Sequence, residues 1–77
     1  MLNYFYLDNE GVDPNKALRN GTTPLFMAAQ DGHKEVVKLL LDKEGIDPNR
    51  ALPDGATPLS IAEQKGHKEV VKLLLFR

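Results

Sequence analysis

The chain has 77 residues, enough for one small domain with a thin core, since a chain of this size buries only about 60% of its unfolded surface. Ten Lys+Arg against eleven Asp+Glu leave a formal net charge of −1, too even a balance to attract a phosphate backbone, and nucleic acid is not an expected partner. The absence of cysteine removes disulfides, thiolate metal ligands and thiol nucleophiles, and it fits a reducing, intracellular compartment such as the cytoplasm.

The chain opens with MLNYFYLDNE, which lacks a basic flank and meets Asp8 and Glu10 soon after its apolar run, so it does not read as a signal peptide. No apolar run approaches the ~20 residues that span a bilayer, and no membrane partner is expected. From residue 12 onward the sequence repeats with an offset of 34: residues 12–43 laid over 46–77 match at 21 of 32 positions, and GHKEVVKLLL recurs unchanged at 32–41 and 66–75. All six glycines and four of the five prolines pair at this offset. Both residue types mark backbone geometry, so the pairing signals a repeated structural unit. Leu2, Phe5, Leu7, Asp8, Glu10 and Gly11 fall over Val36, Leu39, Leu41, Asp42, Glu44 and Gly45. Residues 1–11 therefore read as the tail of a preceding unit, 12–45 as a first full unit and 46–77 as a second.

Within each unit, Asp-Pro-Asn (13–15 and 47–49) begins a connecting segment, and Asn20-Gly21 or Asp54-Gly55 predicts a tight turn of hairpin type. Thr23-Pro24 and Thr57-Pro58 place a hydroxyl N-cap before a proline at the first helical position. A short helix follows, PLFMAAQ or PLSIAEQ, ended by Gly32 or Gly66 in a left-handed turn. The second helix is EVVKLLL with its flanks, closed in the first unit by Gly45. Val36, Val37, Leu39, Leu40 and Leu41 cover too much circumference for a single stripe, which predicts packing on more than one side.

Chemistry finds little support in these residues. His33 and His67 are the obvious metal or catalytic candidates, but they hold equivalent places in successive units. Helices pack at about 8–10 Å, too far apart for one ion with bonds of about 2 Å to bridge the two. The imidazoles are expected instead to tie the turn between helices to nearby backbone. The Asp-Pro-Asn carboxylates are duplicated, as turn chemistry would be. Ser60 has no charge-relay partner in its segment, and no nucleophile elbow, P-loop or dinucleotide motif is present, so no cofactor, metal or catalytic residue is assigned. Lys34, Lys38, Lys68 and Lys72 line the second helices. Glu35 and Glu69, three residues before Lys38 and Lys72, favour a paired, solvated face over an anionic partner.

The two segments TPLFMAAQDGHKEVVKLLL and TPLSIAEQKGHKEVVKLLL resemble ankyrin repeats, with TPL, the following alanine, GH and the VVKLLL run all in register. The resemblance covers essentially the whole chain. It implies an all-α solenoid of antiparallel helix pairs with a short β-hairpin or loop finger projecting from each, and a non-catalytic role in binding protein partners. Two departures stand out. Phe26 and Ser60 replace the family's usual histidine, so that residue's hydrogen bonds to the threonine turn are expected to be missing. The period also exceeds the usual 33 or so, and the extra residue, in DKEG, is expected to lengthen the second helix. The resemblance further implies that asparagines spaced as Asn15 and Asn49 are from Leu7 and Leu41 can be hydroxylated, although proline stands here at a usually aliphatic place.

Positions that differ between the copies point to function. Arg19, Asn20 and Thr22 become Pro53, Asp54 and Ala56, and Asp31 becomes Lys65. The resemblance places these at the finger tips and at the end of the first helix, on a concave recognition surface that also takes in Gln30 and Gln64. Leu18 and Leu52 are expected to pack between adjacent fingers, the alternative being an apolar contact to a partner. Phe26→Ser60 and Ala29→Glu63 make the second unit's outer side polar, as a C-terminal capping repeat requires. A partner of unknown identity, bound through the tips and first-helix face, is the function expected. The alternatives are a minimal structural or engineered fragment with no partner, and a recruiting segment of a larger enzyme or effector. Because about three units are needed for an independent fold, the chain is expected to be marginal alone, with self-association through its uncapped ends, notably Leu2, Tyr4, Phe5 and Tyr6.

Overall fold

Each unit starts its first helix where a threonine stands before proline, and the computed structural model, which describes residues 14–76, shows how that junction works. Thr23 and Thr57 are extended, and the side chain of each accepts from the backbone N–H three residues on, Phe26 or Ser60, at 3.1 Å. Proline follows at a position whose missing N–H leaves no bond unmade. The helices that result are α1 (Pro24–Asp31) and α3 (Pro58–Lys65). Both end at a glycine with φ above +70°, where the next residue's N–H reaches back five places: His33 to Ala28 O at 3.0 Å and His67 to Ala62 O at 2.9 Å. This double-bonded left-handed ending reverses the chain within two residues. The second helices, α2 (Lys34–Leu41) and α4 (Lys68–Leu75), then run back alongside. No strand occurs among the described residues.

The core sits between the two units. α1 buries Leu25, Phe26, Ala28 and Ala29, α2 buries Val37 and Leu40, α3 buries Ile61 and Ala62, and α4 buries Val70 and Leu74. Each helix packs against its partner in the unit and against its counterpart in the other unit, so like stacks on like. Alanine at 28, 29 and 62 keeps these contacts close, and each buried leucine or valine contributes about 1.5–3 kcal/mol. The broad apolar face of KEVVKLLL is used on two sides, as its breadth predicts. Val36 and Leu41 are half-buried beside Val37 and Leu40, while Leu39 turns outward and is 58% exposed.

Three local expectations need correction. α2 and α4 have eight residues each, so the extra residue of the 34-residue period does not lengthen the helix. It is absorbed in the turn after Asp42, where the N–H groups of Lys43 and Ile46 bond to Leu40 O and Lys43 O at 3.1 and 3.3 Å. Asp42, not Gly45, is the helix cap. The finger is a three-residue loop, with Gly21 N–H bonded to Leu18 O at 2.8 Å and Leu18 N–H to Thr22 O at 2.9 Å. Gly21 alone has positive φ (+89°), whereas a two-residue Asn-Gly hairpin turn requires it of both residues. Lastly, the threonine turn recovers in α3 the hydrogen bonds expected to be missing. Ser60 Oγ accepts from Thr57 N–H at 2.8 Å and donates to Thr57 O at 3.0 Å, closing a capping box.

The units are latched together by residues written alike in both copies. The Asn15 side chain donates from Nδ2 to Gly45 O and accepts from Asp47 N–H through Oδ1, both at 2.7 Å. His67 donates from Nε2 to Gln30 O at 3.0 Å, which places the ring over Gly32. A β-carbon at Gly32 would stand 2.7 Å from His67 Nδ1, so glycine is needed there for close approach as well as for its left-handed backbone. The fingers meet too, with Pro53 and Leu52 packed against Gly21. Residues 1–13, including the tail of the preceding unit and its apolar edge, lie outside the described residues.

Candidate functional site

The sequence candidates divide by burial. Arg19, Asn20, Pro53 and Asp54 are exposed at the finger tips, and Gln30, Asp31, Gln64 and Lys65 are exposed along the last turns of α1 and α3. Thr22, by contrast, is only 9% exposed, and Ala56 is half-buried. Their backbones close the finger: the carbonyl of each accepts from Leu18 or Leu52, and the N–H of each donates to a tip side chain. Thr22 therefore offers a partner almost no surface, and the accessible set narrows to the other residues.

Among the accessible residues, some also build the fold. Asn20 Oδ1 accepts from Thr22 N–H, and Asp54 Oδ1 from Ala56 N–H, both at 2.9 Å, which fixes the shape of each tip. Pro53 is exposed on one side and packs against Gly21 on the other. Gln30 lends its carbonyl to His67 while its side chain stays on the surface. Arg19, Gln64 and Lys65 are exposed side chains beside these. The surface is a mosaic of charges of both signs on rigid supports, suited to a partner with matching polar groups.

The two leucines, at matching places in the repeat, separate in burial. Leu52 is half-buried and reaches Gly21, which is the finger-to-finger packing expected, whereas Leu18 is 48% exposed beside the first tip. Lys16 and Arg50 are also exposed near the fingers, and a lysine-to-arginine exchange between copies carries no signal of variation in charge.

The chemical candidates are engaged in structure. His67 holds Gln30, and Ser60 has its hydroxyl committed to Thr57 as both donor and acceptor. Asn15 spends both ends of its amide on the following unit, whereas Asn49 is exposed with its N–H bonded to Asp47 Oδ1 at 3.1 Å. Among the described residues no three His, Asp or Glu side chains group to hold a metal ion. Lys72 and Glu69 pair at 4.0 Å with both side chains about two-thirds exposed, a contact worth under about 1 kcal/mol. No helix among the described residues is long and apolar enough to cross a membrane.

Helix pairs stacked like on like, each with a projecting finger, define a helical-repeat solenoid. The family model for ankyrin repeats in three copies matches residues 1–77, and the chain belongs to the ankyrin-repeat family. No curated protein matches the chain. Ankyrin repeats are as a family protein-protein interaction modules and are typically non-catalytic.

Proposed function

We propose that this chain is a non-catalytic module that binds a protein partner through its finger tips and the exposed last turns of α1 and α3. The observation that carries the reading is a division of labour. The hydrogen-bonded joint is made by residues identical in both copies, Asn15 and His67, with Gly32 beneath the His67 ring. Arg19, Asn20, Asp31, Asp54 and Lys65, which differ at the tips and helix ends, stand exposed; Thr22, Phe26 and Ala29 differ as well but are buried. A frame held by inter-unit hydrogen bonds gives up little conformational entropy on binding, so modest polar contacts suffice for affinity. Leu18 supplies an apolar contact at the edge of the first tip.

The test must spare the residues that shape the fingers, so Asn20, Asp54 and Thr22 are left intact. A chain carrying Arg19→Ala, Gln30→Ala, Gln64→Ala and Lys65→Ala is compared with the unaltered chain by crosslinked capture from cells. Unfolding curves of the two chains establish that both are folded. The expected result is a partner captured by the unaltered chain and reduced at least tenfold by the variant. Equal capture by both folded chains contradicts the reading.

A further inference from the structure

The side of the second unit that faces away from the first carries most of a joint. Asn49 stands where Asn15 stands, but its exposed side chain makes no hydrogen bond among the described residues, and Gly66 has open space where Gly32 is covered by the His67 ring. Ala62, Glu63, Gly66, Lys68, Val71 and Lys72 line a groove there, and the counterparts of its small and apolar members, Ala28, Gly32 and Val37, are buried or covered in the first unit. Two side chains break the correspondence. Phe26 and Ala29 are 5% and 0% exposed, and their counterparts are Ser60 and Glu63, both exposed.

We propose that Glu63, assisted by Ser60, closes this face to stacking, so that residues 46–77 form a terminal unit set by two side chains on an otherwise complete joint. A further unit of the same kind seated as the second sits on the first would enclose Glu63 as fully as Ala29 is enclosed. That demands room for a longer side chain where a methyl fits and removes water from a carboxylate; Lys68 and Lys72 line the same groove and offset that cost only by losing water of their own. Ser60 acts in the same direction by a different route. Its hydroxyl is spent on the Thr57 capping box, which stabilises α3 from within, and Ser60 lacks the aromatic ring that Phe26 buries in the first unit. A helix that needs less from a neighbour is suited to an end. Self-association through this end is thereby disfavoured, although Asn49 and Gly66 remain shaped for it.

The experiment extends the full chain by Glu-Gly, the counterparts of Glu44 and Gly45, and then a second copy of residues 46–77, which keeps the 34-residue period after Arg77 and leaves the added copy's own outer face closed. Urea unfolding is followed by far-ultraviolet circular dichroism. With Ser60 and Glu63 unaltered in the preceding unit, the added copy is expected to unfold separately at lower urea and to leave the original transition in place. With Ser60→Phe and Glu63→Ala there, a single transition at higher urea is expected, with a slope about half again as large because three units unfold together. Glu63→Ala alone is expected to fall between these and serves if the double variant does not fold. Asn49→Ala should lower the midpoint of the opened chain while leaving the original chain unchanged. A single raised transition without any substitution overturns the proposal. So does an opened chain that still unfolds in two steps, or an opened chain indifferent to Asn49→Ala.

Discussion

At Gly32 and Gly66 the same letter answers to different demands. Both have left-handed backbones, which alone cost an alanine about 1–2 kcal/mol, but only Gly32 has a neighbour's ring where a β-carbon would go. Gly32→Ala is therefore expected to lower stability clearly more than Gly66→Ala, measured by urea unfolding of the two variants; equal losses would mean that the His67 ring yields freely. The asparagines give a parallel contrast. Asn15→Ala removes two hydrogen bonds across the joint, each worth about 0.5–1.5 kcal/mol, whereas Asn49→Ala removes none among the described residues. The expected outcome is a loss of about 1–3 kcal/mol for the first and nearly none for the second, again by urea unfolding. Sequence could place these residues but not separate them. GHKEVVKLLL is written identically twice, and what distinguishes the copies is whether another unit stands beside them, a property of the array that no single unit encodes.

Among the elements, the helices were the most legible, because their signals are local. Thr-Pro starts, glycine stops and apolar spacing act within a few residues, and α1 and α3 begin and end where those signals place them. Misreadings arose where one signal had two physical outlets. An extra residue after LLL can extend a helix or swell the turn behind it, and the turn was the outlet taken. Asn-Gly suits a two-residue hairpin, yet the bonds Leu18 makes show a three-residue loop with only the glycine left-handed. At position 60, the substitution of the family's histidine hid a second route to the same end, since serine can bond the threonine turn from both directions. The capping box makes a prediction at this scale. Thr57→Ala should cost about 1 kcal/mol, with Ser60→Ala costing less because Thr57 still accepts from the N–H of residue 60. Circular dichroism during thermal unfolding checks both. A Ser60→Ala loss as large as that of Thr57→Ala would show that the reciprocal bond dominates.

At the scale of the molecule, the described residues join four eight-residue helices, each too short to persist alone in water, into a body whose core lies across the boundary between units. The candidate surface inherits its rigidity from that joint. Burial was the part of this surface least legible in sequence, since variation between copies marked Thr22 and Arg19 alike although only Arg19 is accessible. A side chain's exposure depends on how the finger folds over, and variation does not report it. If rigidity underlies binding, the two units must open together and not one by one. Native-state hydrogen exchange tests this most directly, comparing the protected amides of α1 and α3 in the unaltered chain and in the His67→Ala variant. The interlocked account predicts equal opening free energies for the two helices, both lowered by the substitution. Protection in α1 that exceeds that in α3 and ignores the loss of His67 would contradict it, leaving two loosely joined units instead of one preorganised surface.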